Sequence, residues 1–184
     1  MKREPILQLL TDYLIRYPEE EAVIARFKGF VETHPECFER TLQVGHVTGS
    51  AWVVNEAGTH VLLTHHKKLN KWFQLGGHAD GETDILKAAL IEVEEESGLA
   101  AFEPCSKAIF DIDIHAIPAR GGEPEHFHYD VRFTVKSTGG HEYVVSAESL
   151  DLSWVDIEKL AEYTQEESML RMGRKWLARN EVSR

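Results

Sequence analysis

Residues 76–99 read GGHADGETDILKAALIEVEEESGL, and this stretch decides how the rest of the chain is interpreted. Two adjacent glycines open a loop, and apolar residues at helical spacing follow it over about 84–97. We expect Thr83 to cap the start of this helix, because its hydroxyl can accept a hydrogen bond from a free backbone N–H. We expect Gly98 to end the helix in the left-handed conformation. The sequence therefore predicts a glycine-rich loop that leads directly into a helix.

Three acidic side chains are crowded on one side of this predicted helix. Glu92, Glu95 and Glu96 stand at i, i+3 and i+4, whereas Glu94 points elsewhere. Like charges at this spacing cost about 0.2–0.5 kcal/mol per pair on an exposed helix, and the negative end of the helix dipole adds to the cost. A bound divalent cation would make this crowding of carboxylates favourable, because Mg²⁺ and Mn²⁺ prefer several oxygen ligands. The alternative is an acidic helix face that is simply solvated.

The glycine loop favours the metal interpretation. Gly76 and Gly77 let the backbone come close to a ligand, and their carbonyl oxygens can bind a metal ion. A helix that begins just after such a loop also suits anionic oxygens, because its first N–H groups are free. Loop and helix together predict a site for a metal ion and a phosphate group.

This stretch resembles the box of the Nudix hydrolase family, which reads G-x5-E-x7-R-E-U-x-E-E-x-G-U with U aliphatic. The full spacing is kept at Gly77, Glu92, Val93, Glu95, Glu96, Gly98 and Leu99. Two positions depart: Thr83 replaces the first Glu, with Glu82 one residue early, and Ile91 replaces the Arg. In the family that Glu and Arg are regarded as bracing the loop against the helix. Their joint loss leaves no unpaired charge, so the resemblance implies an active enzyme with a rebuilt brace.

The resemblance also implies a fold and a set of functional residues. The fold would be an α+β, Nudix-like α/β/α sandwich with a mixed sheet, over about residues 44–180. The metal ligands would be Gly76, through its carbonyl oxygen, and three glutamates: Glu92, Glu95 and Glu96. Members often carry a further acidic residue before a tryptophan such as Trp154, and Glu148 is the first candidate here, with Asp151 second. Glu95 or Glu148 would act as the general base.

The first 40 residues lie outside the part of the chain that the resemblance covers. Apolar residues at helical spacing predict one helix over 4–17 and another over 19–33, with Pro18 between them. We therefore divide the chain into an N-terminal helical hairpin, residues 1–40, and a Nudix hydrolase domain, residues 41–184. The hairpin either packs on the domain or forms a homodimer interface, and the sequence leaves both alternatives open.

The remaining elements follow from short apolar runs and their breaks. Strands are predicted over His46–Val54, His60–His65, Trp72–Leu75, 107–117, 126–136 and 151–155, and further helices near 156–163 and 165–180.

Five residues are candidates for substrate binding: Trp72, Lys68, His78, His126 and His128. Lys68 lies in a positive patch that could receive a phosphate, Trp72 could stack on a base, and His78 directly follows the glycines. His126 and His128 alternate along a strand with Asp130, so all three should share one face. That face could line the substrate cleft, point to solvent or, with His115, hold zinc.

Charge and cysteine content limit the class of partner. The 184 residues carry 20 basic against 31 acidic side chains and a net charge of −11, which argues against a nucleic-acid backbone as the partner. The 2 cysteines cannot build a disulfide framework, and no apolar run approaches a membrane span. We expect a cytoplasmic protein that acts on a small phosphorylated nucleotide.

The sequence thus predicts Mg²⁺- or Mn²⁺-dependent hydrolysis of a pyrophosphate bond in a nucleoside diphosphate linked to another group. Nucleotide sugars, dinucleotides and nucleoside triphosphates all fit this description. One alternative is a catalytically impaired Nudix-like module that senses such a metabolite, because two box positions are changed. A less favoured alternative is an isomerase of the isopentenyl-diphosphate type, since neither Cys37 nor Cys105 lies near the box.

Overall fold

The computed structural model describes residues 2–67, 69–147 and 149–182, with the backbone alone over 180–182. Lys68 and Glu148, two of the predicted site residues, therefore lie outside the described residues. Within the described part of the chain, no helix is both long and apolar enough to cross a membrane.

Four helices and eight strands make up the described fold. The helices are α1 (Glu4–Arg16), α2 (Glu21–Thr33), α3 (Ile85–Ser97) and α4 (Glu167–Val182), with 3₁₀ turns at Pro18–Glu20 and Ile157–Glu162. The strands are β1 (Gly45–Val54), β2 (His60–His66), β3 (Lys71–Phe73), β4 (Leu75–His78), β5 (Phe102–Pro104), β6 (Asp111–Ile117), β7 (His126–Ser137) and β8 (Ser149–Asp156). The predicted order of helices and strands is confirmed, except that the helix predicted near 156–163 is the 3₁₀ turn Ile157–Glu162 and that the short strand β5 was not predicted.

Two predicted strands differ in detail. The single strand predicted over Trp72–Leu75 is two short strands, because the chain changes partner there: β3 pairs with β2, whereas β4 pairs with β1. The strand predicted over 107–117 begins only at Asp111, and the short strand β5 precedes it.

The strands belong to an 8-stranded mixed sheet in the order β3-β2-β1-β7-β5, with β4 on β1, β6 on β7 and β8 on β2. The pairs β2–β3, β2–β8, β5–β7 and β6–β7 are antiparallel. Together with the helices this is the predicted α+β fold.

The chain divides into two compact units. The first comprises Met1–Ser50, Gly76–Leu90 and Ser106–Phe133, and the second comprises Ala51–Leu75, Ile91–Cys105 and Thr134–Arg184. The helical hairpin belongs to the first unit, together with much of β7. The division of the chain at residues 40 and 41 stays a prediction.

In the first unit, the hairpin packs on the apolar side of β7. The ring of Phe30 stacks on Tyr129 with centroids 3.8 Å apart, and Phe27 meets the same tyrosine edge-on at 5.4 Å. Tyr129, Val131 and Phe133 alternate along the strand and are all buried, as expected for one face of a strand. These contacts make the hairpin part of the core of this unit.

In the second unit, β2 lies between β3 and β8 and supplies the buried side chains of Leu62 and Leu63. Trp176 of α4 donates a hydrogen bond from Nε1 to the carbonyl oxygen of Gly58, at 2.8 Å. This bond attaches α4 to the turn between β1 and β2.

Candidate functional site

Helix α3 begins one residue later than its predicted cap implies. The capping residue is Asp84 rather than Thr83, since Oδ1 of Asp84 accepts a hydrogen bond from the backbone N–H of Lys87 at 3.1 Å. An N-cap side chain accepts a hydrogen bond from the backbone N–H two or three residues further along the chain. The bond from Lys87 to Asp84 spans three residues and therefore identifies Asp84 as the cap. The predicted end is confirmed, because Gly98 has a φ of +60° and its N–H donates to the carbonyl oxygen of Glu94.

The loop before α3 is braced by Glu82, the glutamate that stands one residue early in the box. Its Oε1 accepts hydrogen bonds from the backbone N–H groups of Thr83 at 2.9 Å and Asp84 at 3.0 Å. Its other oxygen pairs with the ammonium group of Lys87. The Lys87 hydrogen bond, followed by that from Asp84, lowers the pKa of Glu82 to about 2. The Glu82–Lys87 pair thus holds the loop to the first turn of α3, and Ile91 is 42% exposed; that the pair replaces the changed brace positions stays a prediction.

The three box glutamates lie in the C-terminal half of α3, which belongs to the second unit. Glu95 is exposed, and Glu92 and Glu96 are partly exposed. Their helical spacing places them on one side of α3, as predicted. Their assignment as metal ligands stays a prediction.

Gly76, the predicted carbonyl ligand, lies in the first unit, where β4 passes very close to β1. It has a φ of +154°, and a Cβ added there would overlap Oγ of Ser50 and lie 2.6 Å from its Cα. Only glycine fits this position, both for its conformation and for the available space.

The loop that follows Gly76 is attached to the segment after α2. Arg40 and Asp80 form an ion pair, and the N–H of Gly81 donates to the carbonyl oxygen of Phe38 at 2.9 Å. Asp80 itself adopts a φ of +48°. These bonds fix the backbone directly after His78 and Ala79.

A row of polar residues runs along one face of β6 and β7, and we call it the polar sheet face. Its cross-strand pairs are Asp111 with Arg132, Asp113 with Asp130, His115 with His128 and Ile117 with His126. The predicted shared face of His126, His128 and Asp130 is confirmed by this register. The polar sheet face lies wholly within the first unit.

One end of the polar sheet face is a buried ion-pair network around Arg132. Its guanidinium donates to Oδ2 of Asp130 at 2.8 Å and Oδ2 of Asp111 at 3.1 Å, and it is only 2% exposed. Oδ1 of Asp130 accepts from the hydroxyls of Thr48 at 2.9 Å and Ser50 at 2.7 Å. Burial alone would lower the pKa of Arg132, but the surrounding aspartates raise it, so this cation stays charged.

The other end is a group of imidazoles, His46, His78 and His128, which we call the histidine cluster. Their ring centroids are 4.9 Å apart for His46 and His78, 4.8 Å for His46 and His128, and 5.1 Å for His78 and His128. Two further imidazoles flank the cluster: His126 is 5.3 Å from His128, and His115 is 5.5 Å from it. The structure thus brings three predicted substrate contacts together: His78, His126 and His128.

Burial keeps the imidazoles of the cluster neutral. Together with the neighbouring histidines, it lowers the pKa of His46 to about 4 and that of His128 to about 2. Burial also lowers the pKa of His78, and the positive charge of Arg40 is the next cause. Near neutral pH these rings therefore carry lone pairs rather than positive charge.

His46 is not among the residues predicted from the sequence. It opens β1 and is 3% exposed. The one sequence signal for it is the alternation of His46, Thr48 and Ser50 in a run otherwise fit for a buried strand.

The other candidates lie in the second unit. Trp72 stacks on His65 with ring centroids 4.8 Å apart and meets Tyr163 edge-on at 5.9 Å, beside a cavity of about 380 Å³. Asp151 uses one carboxylate oxygen to accept from the backbone N–H of Leu152. The structure places Trp72 and the histidine cluster in different units, and the stacking role of Trp72 stays a prediction.

Comparison with known proteins gives one family match and many similar folds. A family model described as NUDIX domain matches residues 45–176. No curated protein matches the chain in sequence.

Several solved structures share the fold at low sequence identity. An Ap4A hydrolase from C. elegans has 18% identity and a TM-score of 0.60, with 74% of this chain and 98% of that chain covered. A MutT protein from Methanosarcina mazei Go1 has 20% identity and a TM-score of 0.56, with 76% and 97% covered. A dihydroneopterin triphosphate pyrophosphohydrolase from E. coli has 15% identity and a TM-score of 0.54, with 70% and 92% covered. At these identities the likeness concerns the fold.

Proposed function

The chain belongs to the NUDIX domain family, and from this premise we propose that it is a Mg²⁺- or Mn²⁺-dependent pyrophosphohydrolase. Its substrate would be a nucleoside diphosphate linked to another group. The observation that carries the proposal is the family match over residues 45–176 together with the retained glutamates at 92, 95 and 96 of α3. The similar folds include an Ap4A hydrolase and a dihydroneopterin triphosphate pyrophosphohydrolase, which supports this class of substrate.

Carboxylate and carbonyl oxygens are the donors that hard cations prefer, and Glu92, Glu95, Glu96 and the Gly76 carbonyl offer both kinds. When bound, the cation neutralises phosphate oxygens and makes water a better nucleophile. Glu95 or Glu148 accepts the proton of the attacking water. The water oxygen forms a bond to one phosphorus, the bridging P–O bond breaks, and two phosphorylated products leave.

Substrate contacts are proposed for the remaining candidates. Trp72 offers a ring to a base and Lys68 a charge to a phosphate. His78, His126 and His128 stay predicted substrate contacts. Because the rings of His78 and His128 are kept neutral, these two would exchange hydrogen bonds with the substrate rather than form ion pairs.

The brace supports an active enzyme over an impaired sensor. The sensor alternative rests on the changed positions Thr83 and Ile91, yet Glu82 and Lys87 already hold the loop to the first turn of α3. Nothing in the brace therefore requires the loss of activity.

A substrate panel tests the proposal. Nucleotide sugars, dinucleotides and nucleoside triphosphates are incubated with the full chain and Mg²⁺, Mn²⁺ or EDTA, and released phosphomonoesters are measured with a coupled phosphatase. We expect turnover of at least one class with a metal ion and none with EDTA. Thermal stabilisation by a nucleotide without turnover of any class would instead support the sensor.

A further inference from the structure

We propose that the histidine cluster is a second metal site, in which His46, His78 and His128 bind a transition-metal ion of the zinc type. This site would be chemically distinct from the box glutamates, and it does not depend on the proposed hydrolase activity. All three histidines belong to the first compact unit.

The geometry of the three rings carries the proposal. Each ring offers one nitrogen such that the three nitrogen atoms lie within 4.8 Å of one another, a grouping that no other His, Cys, Asp or Glu set matches among the described residues. A tetrahedral zinc ion with Zn–N bonds of about 2.0–2.1 Å holds its nitrogen ligands about 3.4 Å apart. The rings would have to rotate towards one another to close this difference.

The buried nitrogens supply a second, independent observation. Neither ring nitrogen of His46 has a hydrogen-bond partner of acceptable geometry among the described residues, and the same holds for Nε2 of His128. His46 is almost fully buried, and a buried polar atom without a partner is destabilising. A metal ion at the centre of the cluster would satisfy one ring nitrogen of His46, and it could also bind Nε2 of His128.

The two flanking histidines are not ligands in this proposal, but their Nδ1 atoms have partners of the kind that metal-ligating histidines have. Nδ1 of His126 contacts the carbonyl oxygen of Pro124 at 2.9 Å, and Nδ1 of His115 contacts Oδ2 of Asp113 at 3.0 Å. Carbonyl and carboxylate partners of this kind fix the tautomer of imidazoles at metal sites.

The donor set selects the ion. Imidazole nitrogens suit zinc and its first-row neighbours, whereas Mg²⁺ prefers oxygen ligands and an octahedral shell. Three protein ligands also leave a fourth position of the tetrahedron for water or another oxygen ligand. Zinc binding at the cluster should therefore resist excess Mg²⁺.

Calorimetric titration with ZnCl₂ tests the proposal on the untagged full chain after removal of metal ions with EDTA. We expect one equivalent to bind in the presence of excess Mg²⁺. Replacing His78→Ala, at a partly exposed position of the cluster, should weaken zinc affinity at least about 100-fold, since loss of a mere hydrogen-bond partner of a ligand costs about 10–100-fold. The matched control is His34→Ala, because His34 belongs to the same unit but packs against Phe30, outside the cluster.

Two further measurements separate this site from the box. Zinc affinity should survive in the Glu95→Gln/Glu96→Gln double variant, whether or not that variant has lost turnover. Co²⁺ in place of zinc should give the intense visible absorption of tetrahedral coordination, and His128→Gln should abolish it. Absence of zinc binding, unchanged affinity in folded His78→Ala, or loss of binding in the glutamate variant alone would each overturn the proposal.

Discussion

Two regions are rich in charge: the acidic turn of α3, by which we mean Glu92, Glu95 and Glu96, and the polar sheet face of β6 and β7. They differ in burial. Glu95 is exposed on its helix, where water solvates the carboxylate. Arg132 and Asp130 are 2% and 1% exposed, and each is held by several hydrogen bonds. Charges of the first kind can be changed at little cost in stability, whereas charges of the second kind are part of the folded structure.

We expect this difference to separate residues whose proposed role is chemical from residues that hold the fold. A neutral substitution on the acidic turn should change activity and leave the thermal midpoint alone. A neutral substitution on the polar sheet face should change the thermal midpoint first. The following experiments test that contrast.

Replacing Arg132→Met should have the largest effect on stability. It leaves Asp111 and Asp130 as buried carboxylates without their cation, and breaking a buried ion pair in this way costs about 3–5 kcal/mol. Urea denaturation followed by tryptophan fluorescence measures the loss. Arg120→Met, at an exposed arginine of the same unit, is the control and should unfold like the parent protein; equal stability of both variants would contradict the contrast.

Replacing Glu95→Gln should lower turnover by about 10²–10⁴-fold, the usual contribution of a general base, or about 3–5 kcal/mol in the barrier. Glu96→Gln should likewise remove most turnover. The thermal midpoint should stay at the parent value in both, because the acidic turn is solvent-exposed or partly so. Glu94→Gln, on the same helix but off the acidic side, should keep full activity, and full activity in Glu95→Gln and Glu96→Gln would refute these assignments.

Lowering the pH from 7 to 5 should destabilise the metal-free protein. In the unfolded chain His46 takes up a proton below its ordinary pKa of about 6.5, whereas the folded pKa is about 4. The unfolded state then binds more protons, so stability is present above pH 6.5 and is lost as the pH falls towards 4. For His46 alone the loss is about 2 kcal/mol at pH 5.

The groups that face His46 are His78, His126, His128 and Arg40. Burial also lowers the pKa of His78 and of His128, so these two residues add to the effect. Chemical denaturation in EDTA at each pH measures it. His46→Gln should flatten the profile between pH 7 and 5, and an unaltered slope in that variant would show that His46 takes no part.

Separating Glu82 from Lys87 should have the smallest effect. Lys87 is exposed and Glu82 is partly exposed, and ion pairs that water reaches contribute little to stability. We expect Glu82→Gln and Lys87→Met each to leave the thermal midpoint nearly unchanged and to lower turnover modestly. The double variant should be no worse than the poorer single one, because both remove the same contact; additive losses would mean that the two residues act separately.

The parts predicted from the sequence are those whose signal is local. Helix α3, its end at Gly98 and the spacing of its glutamates all lie within 24 residues of continuous chain. The partner change between β3 and β4 has no such signal, because it depends on which strand lies alongside. His46 was not predicted for the same reason. Residues 46, 78 and 128 come together only when β4 and β7 both pair with β1.

Strand β7 has a further consequence for how this chain tolerates length changes. Its odd-numbered residues Tyr129 and Val131 face the hairpin side, and its even-numbered residues Asp130 and Arg132 face the ion-pair network, all of them buried. Inserting a single amino acid near Phe127 would exchange the two sides and place charges among aromatic rings. In a scan of insertions and deletions, this strand should therefore reject changes of one residue more strictly than the exposed glycine loop at 121 and 122.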